Sequence, residues 1–302
     1  MAYPTVSAAY GFKPYNLMGG RDYAGSTRMI PIAEAYGTNL FNGDLVQLGG
    51  TNKGSLIQST IAYNTAAAVA GTIGVFVGCE YSTASSTGVA TGPIYGKNRF
   101  QYWPASQGAE DAVAYVVDDQ YAVFRVAVLA QLTAGASNTL TAIGYVSEAF
   151  VGSNVSAATG QAGSTATGDS AWGVTSSTAP TNNNGVVRTT TTLPFRIVQL
   201  VPDTAVTVVQ TGTSSGTTVT LSAANTAIQP GMQVIVPTTT TGYVAAGHPA
   251  DYNYVTNVNG TAVTINTAIT QASSVPIVFV GYPEVLVAWN FGYHSYQQAA
   301  GV

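Results

Sequence analysis

No stretch of this 302-residue chain sustains an apolar repeat of 3.6 residues. Apolar side chains come instead in short runs, many alternating with Thr and Ser, and the runs end at Gly, Pro, Asn or Asp. That pattern argues against a helical architecture and predicts an all-β protein. Composition supports the same reading. Only 7% of the residues are charged, against about 25% in an average domain. Surface helices carry Lys and Glu on their wet face, whereas exposed strand faces are well served by Thr and Ser.

The charge deficit also fits a surface covered by partners or by copies of the chain, where few charges need desolvation. The plainer alternative is a stable secreted β-protein. A hydrophobic share of 46% is too high for disorder. No run of about 20 apolar residues suggests a membrane span, and no basic segment followed by an apolar one suggests a secretory leader. The net charge of −4 gives no basis for nucleic-acid binding. All nine Lys and Arg residues lie between Lys13 and Arg196, and the only charges in 197–302 are Asp203, Asp251 and Glu284. The single cysteine, Cys79, excludes an intrachain disulfide and reads as a buried small hydrophobe.

Residues 1–37 are rich in Tyr, Gly and Pro and read as an extended N-terminal arm. Tyr3, Tyr10, Phe12, Tyr15 and Tyr23 are too many aromatics for a free tail, so the arm is expected to anchor on a partner or on its own domain. In its first 28 residues Lys13, Arg21 and Arg28 stand against Asp22 alone, a slight positive charge that favours an acidic partner surface. Strands are expected at 45–48, after the turn signal Phe41-Asn42-Gly43-Asp44, and at 55–61, 72–81, 94–103 and 140–150. The runs 112–118 and 121–129 flank Asp118-Asp119-Gln120, which reads as a hairpin turn. Residues 152–192 read as a long polar loop anchored at Trp172. Further strands are expected at 193–201 and 284–290.

Residues 204–281 carry an internal echo. Thr217-Thr218-Val219-Thr220-Leu221 follows Ser215-Gly216, and Thr261-Ala262-Val263-Thr264-Ile265 follows Asn259-Gly260. Each is an alternating strand leaving a hairpin turn. The fold expected is therefore a β-barrel or sandwich main domain, 38–203 completed by 282–302, with a small β-sandwich inserted at 204–281.

Candidate chemistry is sparse. His248 and His294 have no metal-ligand partner at useful spacing and read as polar surface residues. Gly168-Asp169-Ser170 has a passing likeness to a serine nucleophile loop but lacks a positioned base. Asp118-Asp119 and Glu110-Asp111 are adjacent pairs, which face opposite ways on a strand and cap amides in a turn. No enzyme, metal or cofactor is expected.

Four stretches resemble virion structural proteins of tailed bacteriophages, especially marine and cyanobacterial ones. They are Asp118-Asp119-Gln120 with Phe124-Arg125-Val126, Thr167-Gly168-Asp169-Ser170, the 193–198 strand, and Trp289-Asn290-Phe291-Gly292-Tyr293-His294-Ser295-Tyr296. Many such proteins are capsid decoration, or cement, proteins. The resemblance implies a place on the outer capsid surface, major capsid protein as partner and self-association as a homotrimer, with no nucleic acid or membrane involved. On that reading the interface candidates are Tyr3, Tyr10, Phe12, Lys13, Tyr15, Arg21, Arg28, Tyr293 and Tyr296. Rival readings are a head-fibre or tail adhesin contacting the host, a surface-acting depolymerase with paired carboxylates, and the major shell protein, which would need a long helix.

Overall fold

The apolar runs become twenty-one strands, with no helix among the described residues of the computed structural model. These are residues 9–49, 54–59, 72–82, 98–128, 151–152, 154–159, 163–175, 194–201, 204, 207–236, 253–290, 292, 294 and 296. In chain order the strands begin with β1 (Lys13–Leu17), β2 (Arg21–Asp22), β3 (Arg28–Pro31), β4 (Leu40–Phe41), β5 (Leu45–Leu48), β6 (Leu56–Gln58) and β7 (Thr72–Tyr81). There follow β8 (Asn98–Phe100), β9 (Tyr102–Trp103), β10 (Val113–Val117), β11 (Ala122–Ala127), β12 (Asn154–Thr159), β13 (Trp172–Thr175) and β14 (Phe195–Val201). The last are β15 (Thr207–Ser215), β16 (Thr218–Leu221), β17 (Gln233–Ile235), β18 (Val255–Asn259), β19 (Ala262–Ile265), β20 (Gln271–Val280) and β21 (Glu284–Trp289).

Two sheets, of seven and six strands, make the body. The first runs β13-β12-β14-β21-β11-β1-β2, and the bridge between Val128 and Val174 brings β13 back against the end of β11. The second runs β3-β10-β7-β5-β6, with β8 also on β7, and a bridge from Ile32 to Leu56 joins its two ends. The short pair β4-β9 is a separate ladder packed on β7, with Leu40 and Trp103 in the second sheet's core. β7 and β21 are the most deeply buried strands. Both read as near-continuous apolar runs because neither face meets water. Val285, Val287 and Trp289 of β21 enter the main core with Phe12, Phe124 and Phe195, while Leu286 and Ala288 join Val123 in a smaller cluster.

Strands β15–β20 pair only with one another among the described residues, in the order β17-β20-β15-β16-β19-β18. This is a single sheet closed on itself. The Val234 amide donates to the Asn253 carbonyl at 2.7 Å and the Val255 amide to the Met232 carbonyl at 2.8 Å, which joins its two edges. It has its own core, including Val219, Leu221, Val263, Ile265, Ile277 and Phe279. The two echoing hairpins lie back to back, with Val219 opposite Val263. Their hydrogen bonds repeat as well: the Leu221 amide donates to Thr261 and the Ile265 amide to Thr217. Gly216 and Gly260, each at φ 61°, are the first of the two loop residues in their turns, the position that a type II′ hairpin gives to glycine. Pro276 is accommodated in β20 because the flanking β17 pairs only with residues 278–280.

Three expectations need correction. Residues 9–37 are not an arm laid over the body, because β1 and β3 are strands of its two sheets. Their periodicity is hidden by short strand length and by the bulge between Pro14 and Asn16. The turn at 118–120 is not a hairpin: β10 belongs to the second sheet and β11 to the first, so the chain changes sheets there. The 152–192 segment is not all loop, since it supplies β12 and β13, paired from Ser156 opposite Thr175 to Thr159 opposite Trp172. Small and hydroxyl-bearing residues give these strands little apolar signal. The strand expected at 140–150 lies outside the described residues.

Candidate interaction surface

The N-terminal segment enters the body through a tight backbone crossing. A Cβ on Gly11 would lie 2.6 Å from the Ser170 Cβ and 2.8 Å from the Gly43 Cα, and Gly11 and Gly43 have φ of 84° and 101°. Only glycine suits both the left-handed conformation and the close approach. Around the crossing, Lys13 Nζ donates to Asp169 Oδ1 at 2.8 Å and to Asn42 Oδ1 at 2.7 Å. Asp44, almost wholly buried, accepts from the Phe41 amide at 2.9 Å and from Gln58 Nε2 at 3.0 Å. Loss of hydration pushes its carboxyl up to about 6 against the lowering effect of these donors.

The raised Asp44 value gives a pH window. The unfolded chain releases this proton near the ordinary value of 3.8, while the folded chain holds it to about 6. Between those values the folded state binds more protons, so this group's contribution to stability falls as pH rises. Melting temperatures of the native chain and of Asp44→Asn, compared from pH 4 to pH 7, are expected to show this decline only in the native chain. His294 acts in the opposite sense: burial lowers its folded value below 6.5, so its contribution is full above 6.5 and is lost as pH falls. Double substitution with a non-titrating residue at 294 separates the two.

A second polar knot stands where β14 and β21 lead into and out of the closed sheet. Glu284, 3% exposed, accepts from the Tyr10 hydroxyl at 2.5 Å through Oε1, while Arg125 binds its Oε2. The Glu284 amide donates to Thr204 Oγ1 at 2.8 Å. Desolvation, reinforced by the Glu284 carboxylate, raises the Tyr10 phenol far above its usual range. Tyr10 therefore ties the N-terminal segment to the junction between body and closed sheet.

The exposed apolar residues concentrate elsewhere. Among the described residues, Tyr15 (54% exposed), Met18 (44%), Met29 (54%), Tyr121 (51%) and Tyr296 (52%) are five of the seven large hydrophobics left in water. All five belong to segments gathered at the 118–121 crossover. The Met18 amide donates to the Tyr121 carbonyl at 2.8 Å, placing the β1–β2 loop against it. On the other side, Asp118 Oδ2 accepts from the Tyr296 hydroxyl at 2.7 Å and pairs with Arg28 at 3.4 Å, and Arg28 also bonds Tyr296. Asp119 Oδ1 accepts from the Tyr121 amide at 2.8 Å and shapes the turn. The bulge at Tyr15 is the local reason that its ring faces out. Arg21, in the exposed edge strand β2, borders the same region.

The sequence candidates therefore divide. Arg28 and Tyr296 come together at Asp118, and Tyr15 and Arg21 lie on the neighbouring strands β1 and β2. Phe12 does not join them: it is fully buried, stacked on Phe195 at 4.8 Å, and is a core residue, not an interface one. Tyr10 and Lys13 have their polar groups engaged within the chain. Tyr3 and Tyr293 lie outside the described residues. Met18, Met29 and Tyr121 are exposed as well and were not singled out from the sequence. For Met18, next to the Gly19-Gly20 loop, and Tyr121, next to the Asp118-Asp119 turn, the turn itself was a usable signal, because turns face water.

The other chemistry-bearing residues serve the fold. Ser170 is buried and its Oγ accepts from the Trp172 amide at 3.0 Å. Asp111 accepts from the Ser82 amide at 3.0 Å and from its hydroxyl at 2.7 Å. Cys79 is buried, which pushes its thiol up to about 12. His294 is not the surface residue expected: it has no exposed area, its Nδ1 accepts from the Tyr296 amide at 3.3 Å, and its ring meets Trp289 edge-on at 5.3 Å. His248 lies outside the described residues. No group of three or more His, Cys, Asp or Glu among the described residues is placed to hold a metal ion. No family model, curated protein or solved structure matches the chain, so its functional reading rests on this geometry and on the sequence resemblance.

Proposed function

We propose that the chain is a structural protein of a tailed-phage virion that decorates the outer capsid surface and stabilises it by clamping neighbouring major capsid subunits, self-associating as a trimer. The observation that supports this most is that Tyr15, Met18, Met29, Tyr121 and Tyr296, with Arg21 and Arg28, are exposed on segments that flank one crossover. Tyr, Met and Arg are the residue types enriched at interface cores. Formal charges there nearly balance, with Asp22, Asp118 and Asp119 against two arginines, so contact is driven by apolar burial and its affinity is expected to depend little on salt. Many copies of a modest contact then act together over the shell.

The triple variant Tyr15→Ser, Met18→Ser, Tyr121→Ser is expected to keep its melting temperature, since all three side chains are exposed. Its affinity for stripped capsids is expected to fall on the order of 100-fold or more. Undiminished occupancy would remove this surface from the interface. Capsids that resist heat equally with and without the protein would end the cement role itself.

One observation favours a second reading, a head-fibre or tail adhesin. The described part of the closed sheet carries no charged residue, and its exposed positions include Thr211, Thr218, Thr220, Thr256, Asn257 and Asn259. A neutral surface of hydroxyls and amides suits hydrogen bonding to uncharged host glycans. Labelling on particles, at the head shell or at the fibres and tail, distinguishes the two.

A further inference from the structure

We propose that Asn259, at the tip of the β18–β19 hairpin, is a site of spontaneous deamidation in the folded protein, and that the other described Asn-Gly pair, Asn42-Gly43, is protected. The chemistry needs a side-chain amide followed by a residue whose backbone nitrogen can reach it. The Gly260 nitrogen attacks Asn259 Cγ, a C–N bond closes a five-membered imide, and the Asn259 amide nitrogen leaves as ammonia carrying the displaced proton. Water then opens the imide at either carbonyl and leaves an aspartyl or an isoaspartyl residue. Nothing is oxidised or reduced, and water is the only co-reactant.

The two sites have the same dipeptide and opposite surroundings. Asn259 and Gly260 are both exposed, and nothing lies within 4 Å of the Gly260 Cβ position. Gly260 is the first loop residue of a two-residue turn, and its amide makes no backbone hydrogen bond among the described residues. At the other site Asn42 Nδ2 donates to the Val77 carbonyl at 3.0 Å, and Asn42 Oδ1 accepts from Lys13 at 2.7 Å. The nitrogen that would attack there, that of buried Gly43, already donates to the Phe76 carbonyl at 2.7 Å. Ring closure at Asn42 thus requires three hydrogen bonds to break inside the backbone crossing; at Asn259 it requires none of these. The product places a carboxylate on a segment, 204–281, whose only charged residue is Asp251. This inference rests on the hairpin alone and is independent of the capsid reading.

The test is incubation of the full-length chain at mildly alkaline pH, with and without urea, followed by chymotryptic peptide mapping by mass spectrometry. Trypsin is unsuitable because no Lys or Arg follows Arg196. In the folded chain conversion at 259 is expected to be about tenfold or more faster than at 42, and in urea the two rates converge as the protection at 42 is lost. Asn259→Gln, which would need a larger ring, is expected to release ammonia more slowly than the native chain. Equal rates at 259 and 42 in the folded chain, or as much conversion in the 259 peptide of Asn259→Gln as in that of the native chain, would overturn the proposal.

Discussion

Phe12→Ala is expected to destabilise the body by about 3–5 kcal/mol, the usual cost of removing a wholly buried aromatic ring. Phe12 stacks on Phe195 at 4.8 Å and meets Phe124 edge-on at 6.2 Å, and Trp289 packs against both of those rings. Deleting it empties the centre of a core built from β11, β14 and β21. A domain's whole stability is about 5–15 kcal/mol, so the loss takes a large share. Urea unfolding followed by tryptophan fluorescence measures it, because Trp103, Trp172 and Trp289 all lie in the body. The closed sheet of 207–280 has a separate core, so its transition, followed by hydrogen exchange, is expected to stay in place. A peripheral arm would behave differently: truncating one of its aromatics would leave the body's midpoint unchanged, and that outcome would contradict the buried position.

The second large effect is expected at Gly43→Ala. Its φ of 101° already disfavours any side chain, at about 1–2 kcal/mol. The added methyl would also lie 2.8 Å from the Gly11 Cα and 2.9 Å from the Phe12 nitrogen, both backbone atoms that cannot rotate away. Overpacking of this kind costs a further 1–3 kcal/mol or so, giving roughly 3 kcal/mol in all. Gly216→Ala is the matched control. It has a positive φ of 61° but nothing within 4 Å, so only the backbone cost of about 1 kcal/mol is expected. Equal losses at the two positions would show that the crossing is looser than its distances imply.

These two sites show what the sequence makes legible. Asn42-Gly43 is readable as a turn, and it is one: the Asp44 amide donates to the Phe41 carbonyl at 2.9 Å. Nothing local reveals that Gly11 crosses it, because the two glycines are brought together by strands far apart in the chain. Likewise Asp118-Asp119-Gln120 carries the composition of a turn, and Asp119 caps the Tyr121 amide as such a residue should. The same local chemistry serves a hairpin and a crossover between sheets; the partners of β10 and β11 decide which it is. The candidate surface follows the same division. Tyr15, Arg21 and Arg28 could be singled out as aromatic and basic residues in a Tyr- and Gly-rich segment, whereas only the fold shows that Met18 lies against Tyr121 and that Arg28 and Tyr296 meet at Asp118.

What the sequence by itself determined was the all-β character, the positions of the strongest strands such as β7, β14, β16, β19 and β21, the hairpin glycines at 216 and 260, and the confinement of cations to the chain before Ile197. Each of these depends on neighbours along the chain: on alternation of side chains, on allowed φ, or on a count. The tertiary structure alone decided that Phe12 is core, that β15–β20 form one sheet closed on itself where a sandwich was expected, that His294 is buried, and that the segments bearing the exposed aromatics and methionines flank one crossover. Those outcomes depend on which strands pair across long separations, and backbone hydrogen bonding is nearly indifferent to sequence. The choice of partner is made by how whole apolar faces fit together.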